Sequence, residues 1–277
     1  MTINCNGKLI DLTTPKVMGI LNLTPDSFYD GGKYGDIDAA ISQVEVMLSD
    51  GATFIDVGAY SSRPGATDIS VEEEERRLIP VVRQLVTTFP EIVISVDTFR
   101  ASVAKKAIEA GAAVVNDISA GMLDDDMMAV VGALQVPYIM MHMRGTPQTM
   151  KQLTTYDNFL KEVMYYFSER VAVAKSHKIN DLIIDPGFGF AKTTAQSFEL
   201  LNNLDLLDAF EVPVLAGVSR KSMIYKTLDV TADNALNGTT VLNTVAISKG
   251  ARILRVHDVK EAMEVISLSN ALIPNLS

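Results

Sequence analysis

Cysteine, tryptophan, histidine and long apolar runs are scarce or missing in this sequence. Its 277 residues include one cysteine, Cys5, no tryptophan and three histidines. A single cysteine excludes a disulfide within the chain and is typical of a reducing compartment. No run of about 18 apolar residues occurs, as a membrane-spanning helix would need. Residues 1–15 lack the basic and apolar regions of a secretory signal, so we expect a cytoplasmic protein with no membrane partner.

Basic residues are also fewer than acidic residues in this sequence. The chain has 24 Lys and Arg against 34 Asp and Glu, a formal net charge of −10. Without a basic run to neutralise phosphates, nucleic acid is not expected as a partner. The longest charge run, EEEERR at 72–77, predicts a solvated first helical turn. Any anionic ligand therefore needs a local cationic pocket.

Two common kinds of catalytic site find no support in the sequence. The three histidines are His142, His177 and His257. They show neither HxH nor HExxH spacing, so a zinc site is not indicated. No GxSxG motif occurs, which leaves a Ser-His-Asp hydrolase without support. Magnesium is compatible with the sequence, because it needs only one or two protein oxygens besides substrate phosphate and water. Asn22 offers one such oxygen.

Eight short apolar runs predict eight strands of a parallel sheet. The runs are nearly continuous rather than alternating, as in strands covered on both faces. They lie at 16–23, 54–60, 93–97, 113–118, 137–142, 182–186, 213–219 and 252–257. Helical periodicity falls between them, at 37–50, 71–89, 100–110, 124–134, 157–179, 194–208, 232–249 and 258–271.

This alternation predicts an α/β fold of the (β/α)8 TIM-barrel type. A doubly wound open sheet is the alternative, but such sheets usually have five to seven strands, and no GxGxxG follows the first strand. We expect a single domain over residues 1–277, with the barrel at about 16–272. The pair Asn6-Gly7 predicts a short N-terminal hairpin, which we place at the bottom of the barrel.

Polar residues stand at or just after the end of every predicted strand. In a barrel these ends meet at one rim, which carries the active site. Each residue alone has an ordinary structural explanation as a cap or a satisfied core group. The set consists of Asn22, Ser61, Ser62, Arg63, Asp97, Asn116, Asp117, His142, Asp185, Ser219, Arg220, Lys221, Arg255 and His257.

The set divides into two chemical groups. Carboxylates and an amide match the N–H edge of a nitrogen heterocycle, and they are Asp97, Asn116 and Asp185. The cations suit a diphosphate or carboxylate, and they are Arg63, Lys221, Arg255 and His257. Ser222 begins a helix and offers a second anion site. We therefore expect a cleft for a heterocycle with an anionic group.

An ordered series of motifs extends over residues 16–260. The motifs are GILNLTPDSFYDGG, DVGAYSSRPGA, ISVDT, VNDIS, MHMRGTP, DPGFGF, GVSRKS and RVHDV. In this order they resemble the dihydropteroate synthase family. The resemblance implies a folate-pathway transferase, a sulfonamide target and commonly a homodimer. Its reaction joins 6-hydroxymethyl-7,8-dihydropterin diphosphate to p-aminobenzoate, giving 7,8-dihydropteroate and diphosphate.

The resemblance also implies roles for the residues. The pterin pocket would contain Asp97, Asn116, Asp185 and Lys221, with Met141 and Phe190 as apolar walls. The diphosphate would be held by Asn22, Ser62, Arg63, Arg255 and His257, with Mg2+ bound to Asn22. The p-aminobenzoate would meet Ser222, Phe28 and Pro64, as the loops 24–32 and 61–67 close. The residues expected to act in catalysis are Asp97, Lys221, Arg63 and His257.

Two positions depart from the family pattern, and other functions stay open. Tyr60 stands where many relatives have Glu, and Ser62 where they have Thr.

A pterin-binding methyltransferase-type barrel shares the Asp and Asn edge but has no use for a diphosphate pocket. A non-catalytic pterin-binding homologue and another phosphate-handling barrel enzyme are further alternatives.

Overall fold

The computed structural model describes residues 1–23, 35–60 and 68–272, without the side chains of residues 35 and 36. Two strands form an N-terminal hairpin, and they are β1 (Thr2–Cys5) and β2 (Lys8–Asp11). The other strands are β3 (Lys16–Asn22), β4 (Phe54–Gly58), β5 (Ile94–Asp97), β6 (Val114–Asp117), β7 (Tyr138–Met141), β8 (Leu182–Asp185), β9 (Val214–Ala216) and β10 (Ala251–Val256).

The strands β3 to β10 close into a barrel. Each pairs in parallel with the next, and β10 closes the circle by pairing with β3. The predicted TIM barrel is therefore confirmed, and all eight strands lie within the predicted runs or within one residue of them. The prediction of one domain over 1–277 stays a prediction.

Helices surround the barrel. They are α1 (Gly35–Ser49), α2 (Val71–Thr88), α3 (Ala101–Glu109), α4 (Met127–Leu134), α5 (Phe159–Ser176), α6 (Thr194–Asn202), α7 (Ser222–Leu228), α8 (Leu236–Ser248) and α9 (Val259–Leu272). The helix predicted at 194–208 is instead two segments, because α6 ends at Asn202 and a 3-10 helix follows at Leu204–Phe210. No helix in the described part of the chain is long and apolar enough to cross a membrane.

The acidic run that opens α2 is not wholly solvated, contrary to the prediction. Glu74 is fully buried, where it accepts hydrogen bonds from Thr98 Oγ1 at 2.6 Å and Arg100 Nη1 at 2.7 Å. Ser70 caps the helix by accepting a bond from the Glu73 amide. Glu74 thus links α2 to the segment between β5 and α3.

The N-terminal hairpin closes the bottom of the barrel, as predicted. Asn6 and Gly7 both have positive φ, +52° and +84°, as a two-residue type I′ turn requires. Three hairpin residues and the residue after the hairpin pack in an apolar cluster with the first inward-facing residues of the barrel strands. These four are Ile3, Cys5, Ile10 and Leu12. Burial raises the pKa of the Cys5 thiol to about 12, so this cysteine is unreactive.

Above this apolar floor the barrel interior is polar. Side chains alternate along a strand, so the residue two positions after an inward-facing one also faces inward. Phe54, Val114, Ile183 and Ile253 belong to the floor cluster. Two positions further along their strands stand Asp56, Asn116, Asp185 and Arg255. The fold therefore places a polar layer directly on the floor, open toward the carboxyl ends of the strands.

Candidate active site

Arg255 stands at the centre of the polar layer and binds two carboxylates. Its Nε donates to Asp56 Oδ2 at 2.6 Å, and its Nη2 donates to Asp97 Oδ2 at 2.8 Å. Both contacts are charge-assisted and shorter than the usual neutral hydrogen bond. Arg255 thereby ties β10 to β4 and β5 across the barrel interior.

Asp56 is the most enclosed member of this layer. It is fully buried and also accepts a 3.0 Å hydrogen bond from Asn116 Nδ2. Its second oxygen, Oδ1, is buried without a hydrogen-bond partner among the described residues. Because buried polar atoms are normally satisfied, this oxygen marks a place where a ligand or water is expected to donate.

Asp185 and Lys221 meet on the other side of the barrel, around Gly217. A Cβ built on Gly217 would lie 3.8 Å from Lys221 Nζ, 3.9 Å from Asp185 Oδ2 and 4.0 Å from Arg255 Cβ. The glycine therefore leaves a small space that these three side chains share. Asp185 Oδ1 accepts a bond from the Gly187 amide at 2.7 Å, which fixes the carboxylate.

The site also has an apolar wall. Met141 and Phe190 belong to one cluster, in which Phe190 is half-buried. Lys221 Nζ donates to the Phe188 carbonyl at 2.7 Å and lies 4.9 Å from the centre of the Phe190 ring. A flat ligand resting on this wall would have the lysine and Asp185 at its edge.

Burial shifts the charged states of the site toward neutrality. It raises the pKa of Asp97 to about 7, against the opposing effect of Arg255. It lowers the pKa of Lys221 to about 8, against the opposing effect of Asp185. Burial raises the pKa of Asp185 as well, whereas Lys221 acts to lower it. Two titrations of this site therefore fall near neutral pH.

The residues expected to handle anions lie at the open end of this cavity. His257 is exposed, and its Nδ1 is 3.0 Å from Ser219 Oγ, which itself accepts a 3.2 Å bond from the His257 amide. Ser222 is the first residue of α7, and Asn22 is the half-buried last residue of β3. Five further residues predicted for this site lie outside the described residues, and they are Phe28, Ser61, Ser62, Arg63 and Pro64. The loops 24–32 and 61–67, predicted to close, also lie outside them.

Three predicted rim residues do not join the cluster. Asp117 and His142 come one residue after inward-facing positions, so they face away from the barrel interior. Asp117 accepts bonds from Ser119, Gly121 and Tyr138, and His142 contacts Lys192. Arg220 binds Asp258 through two nitrogens. These are structural contacts.

Sequence reasoning missed Asp56 and could not place Tyr60. Asp56 lies in the middle of a strand, but a charged residue in the otherwise apolar FIDVG, two positions from the strand end, was a usable signal. Tyr60 packs edge-on against Phe99 at 4.9 Å and accepts a 3.0 Å bond from Gln148 Nε2. It therefore joins the segments that follow β4, β5 and β7.

A parallel barrel with buried carboxylates, an amide, a lysine and an arginine at the carboxyl ends of its strands defines a TIM-barrel enzyme with a site suited to a polar heterocycle. The family model described as pterin binding enzyme matches residues 18–257. The dihydropteroate synthase of Escherichia coli K12 is 41% identical over 273 residues, which cover 98% of this chain and 96% of the relative.

Solved structures agree with the sequence comparison. The Yersinia pestis dihydropteroate synthase in complex with a sulfonamide drug has a TM-score of 0.92 and 39% identity, over 98% of this chain and 99% of that one. The Xanthomonas albilineans enzyme in complex with 7,8-dihydropteroate has a TM-score of 0.89 and 36% identity, over 98% of each chain. The chain belongs to the dihydropteroate synthase family of pterin-binding enzymes.

Proposed function

We propose that this chain joins 6-hydroxymethyl-7,8-dihydropterin diphosphate to p-aminobenzoate, releasing diphosphate and forming 7,8-dihydropteroate. The observation that carries the proposal is the space at Gly217, around which Asp185, Lys221 and Arg255 converge beside the Phe190 wall. The relative that binds 7,8-dihydropteroate has the same fold over nearly the whole chain, which supports this assignment.

In this proposal the pterin lies on the Met141 and Phe190 wall with its polar edge toward the barrel interior. The Asp185 carboxylate accepts two adjacent N–H groups of the ring, a geometry that fixes its orientation. Asn116, held by Asp56, supplies both donor and acceptor atoms. Lys221 donates to an acceptor of the ring while it keeps its bond to the Phe188 carbonyl.

In the chemical step the C–O bond between the CH2 group and diphosphate breaks, and the p-aminobenzoate amine then forms a C–N bond to the CH2 group and releases one proton to water. Cleavage that runs ahead of attack leaves positive charge on the pterin, and Asp97 stabilises it. Arg63, Arg255 and His257 stabilise the leaving diphosphate, and Lys221 acts at the edge of the ring, where it donates to a ring acceptor. The p-aminobenzoate carboxylate binds at Ser222, with Phe28 and Pro64 against its ring.

Magnesium is part of the proposal. No group of three or more His, Cys, Asp or Glu side chains suited to a metal gathers within residues 1–23, 35–60 and 68–272. Mg2+ nevertheless fits the donor chemistry at Asn22, because it commonly takes one protein oxygen and completes its shell with substrate phosphate and water. When bound, the ion would neutralise charge on the departing diphosphate.

Diphosphate release, with and without p-aminobenzoate, tests the proposal. Purified protein is mixed with the pterin diphosphate and Mg2+, and both diphosphate and pteroate products are measured. We expect release that depends on p-aminobenzoate and on Mg2+, with stoichiometric dihydropteroate. Pterin binding without release would favour a non-catalytic homologue. Methyl transfer from methyl-tetrahydrofolate would favour the methyltransferase alternative.

We also propose a cytoplasmic homodimer that is sensitive to sulfonamides. The single cysteine is compatible with a reducing compartment. Exposed apolar side chains on α8 and α9 offer contacts remote from the site, and they are Val241, Leu268 and Leu272. Light scattering at micromolar concentration distinguishes a dimer from a monomer. The relative in complex with a sulfonamide supports the inhibitor class.

A further inference from the structure

A buried lysine lies behind the wall of the site and takes no part in the proposed chemistry. Lys192 follows the DPGFGF motif, and only 7% of its surface is exposed. Its Nζ is 2.7 Å from His142 Nδ1 and 3.0 Å from both the Gly187 and Phe190 carbonyl oxygens, with the His142 carbonyl oxygen at 3.3 Å. A lysine is rarely so enclosed unless its donors are satisfied.

The surroundings match the hydrogen-bonding capacity of an ammonium group. An ammonium has three N–H donors, and the three shortest contacts of Lys192 are all with groups that can accept. A protonated Lys192 donates to His142 Nδ1, a neutral Lys192 accepts from it, and in either state the lysine donates to the Gly187 and Phe190 carbonyls. Burial and Lys192 both lower the pKa of His142, so a neutral imidazole is in place. Burial lowers the pKa of Lys192 well below its usual value, and Lys221 acts in the same direction, whereas Asp185 opposes them.

The segment that Lys192 contacts has an unusual backbone. Gly187, Gly189 and Ala191 all have positive φ, at +67°, +81° and +50°. A Cβ on Gly187 would collide with the His142 carbonyl oxygen, so the segment lies directly against the end of β7. The two glycines adopt this region at little cost, whereas Ala191 is strained there and needs contacts from outside to hold it.

Side chains supply those contacts. The Phe188 carbonyl accepts from Lys221, and the Ala191 carbonyl accepts from Tyr156 Oη at 2.8 Å. Lys192 binds the carbonyls of Gly187 and Phe190, on either side of Phe188. The same backbone presents the Phe190 ring and the Phe188 carbonyl to the site.

We propose that Lys192 is a positioning residue for the pterin site, because its amino group holds segment 187–191 against the end of β7 and so fixes Phe190 and the acceptor of Lys221. This inference rests on the proposed function. It assigns Lys192 no contact with substrate, so its effect reaches the pterin through Phe190 and Lys221.

The variant Lys192→Met tests this role, because it keeps the length and removes every donor. Small misplacements of groups at a site can lower the reaction rate about 100-fold. We therefore expect the Kd for a non-hydrolysable analogue of the pterin diphosphate, measured by calorimetry, to rise about tenfold or more. The KM for p-aminobenzoate at saturating pterin should change less than about twofold. The control Lys260→Met, at an exposed position of α9, should change neither value.

The variant Lys192→Gln separates positioning from general support of the fold. Gln keeps two N–H donors but carries no charge. We therefore expect its pterin affinity to lie between that of the wild type and that of Lys192→Met. If Lys192→Met does not fold, Lys192→Gln provides the test. A folded variant with unchanged pterin affinity, or an equal rise in both substrate constants, would overturn the inference. Failure of the wild type to bind pterin would instead overturn the proposed function.

Discussion

At the scale of single residues, the interior of the site is defined by its buried carboxylates. Within the described part of the chain, three carboxylates surround Arg255 and Lys221, and they are Asp56, Asp97 and Asp185. When all are ionised, these three carboxylates outnumber the two cations Arg255 and Lys221 by one. Such a site is matched to a ligand that becomes positive during reaction. Asp97 is the least enclosed of the carboxylates, with 19% of its side chain exposed, and is best placed to meet that charge.

Removing the negative charge of Asp97 tests its role in stabilising the pterin cation. We expect Asp97→Asn to reduce kcat about 100-fold or more, because the amide keeps the shape but not the charge that stabilises the pterin cation. The control is Asp205→Asn, at a side chain that is 57% exposed, which should keep wild-type kcat. Steady-state diphosphate release measures both. An unchanged kcat in Asp97→Asn would refute the electrostatic role.

The pH dependence of kcat/KM for the pterin substrate is expected to be bell-shaped. Below the Asp97 pKa of about 7 the carboxyl becomes protonated and loses its charge. Above the Lys221 pKa of about 8 the amine loses its proton and its positive charge. Activity should therefore peak between these values and fall on both sides. Initial rates from pH 5.5 to 9.5 measure the profile, and a flat profile would contradict the assignment.

The residues that the sequence did not reveal are those whose surroundings depend on tertiary contacts. The strand-end rule found Asp97, Asn116, Asp185 and Arg255, because parallel strands bring these positions together. It failed for Asp117 and His142, where the alternation of side chains turns the residue outward. Burial of Lys192 depends on its contacts with His142 at the end of β7, which the local sequence does not predict.

At the scale of elements, the segments after the strands are held by polar contacts with neighbouring strands. Asp117, at the end of β6, accepts bonds from the Ser119 and Gly121 amides and from Ser119 Oγ, all at 2.7 Å. Tyr138 Oη, from the start of β7, donates to the same carboxylate at 2.6 Å. The β6 loop is thereby tied to β7 behind the site.

Removing the Tyr138 hydroxyl should weaken the attachment of the β6 loop to β7. Tyr138→Phe leaves the buried Asp117 with one donor fewer, and we expect the free energy of unfolding to fall by about 1–3 kcal/mol. The matched control is Tyr165→Phe, whose ring is 65% exposed and whose change should stay within about 0.5 kcal/mol. Urea unfolding measures both. Equal effects would show that the contact does not stabilise the loop.

Periodicity in the sequence located every strand of the barrel and most of the helices, since buried parallel strands are nearly continuous apolar runs. It did not separate α6 from the following 3-10 helix. The apolar residues continue through both, while the change of helix type at Asn203 is a matter of backbone geometry that periodicity does not record.

At the scale of the whole molecule, stability and function lie at opposite ends of the barrel. The hairpin and the floor cluster close the bottom, and the polar layer opens at the top. Substitutions in the floor should therefore change stability without changing the chemistry.

The hairpin and the residue after it contain a matched pair of leucines for this test. Leu12 is fully buried in the floor cluster, whereas Leu9 is 69% exposed. We expect Leu12→Ala to lower the free energy of unfolding by about 2–5 kcal/mol through lost burial and a cavity. Leu9→Ala should change it by less than about 0.5 kcal/mol. Both folded variants should keep the wild-type kcat, and a large loss of kcat in Leu12→Ala would contradict this separation.

The measurement that tests the account most directly is a crystal structure of the chain with a dihydropterin diphosphate analogue, p-aminobenzoate and Mg2+. The account predicts the pterin ring on Phe190, its N–H edge at Asp185 and its diphosphate toward Asn22 and His257. A pterin bound elsewhere, or the ring reversed so that Asp185 meets no N–H group, would contradict it.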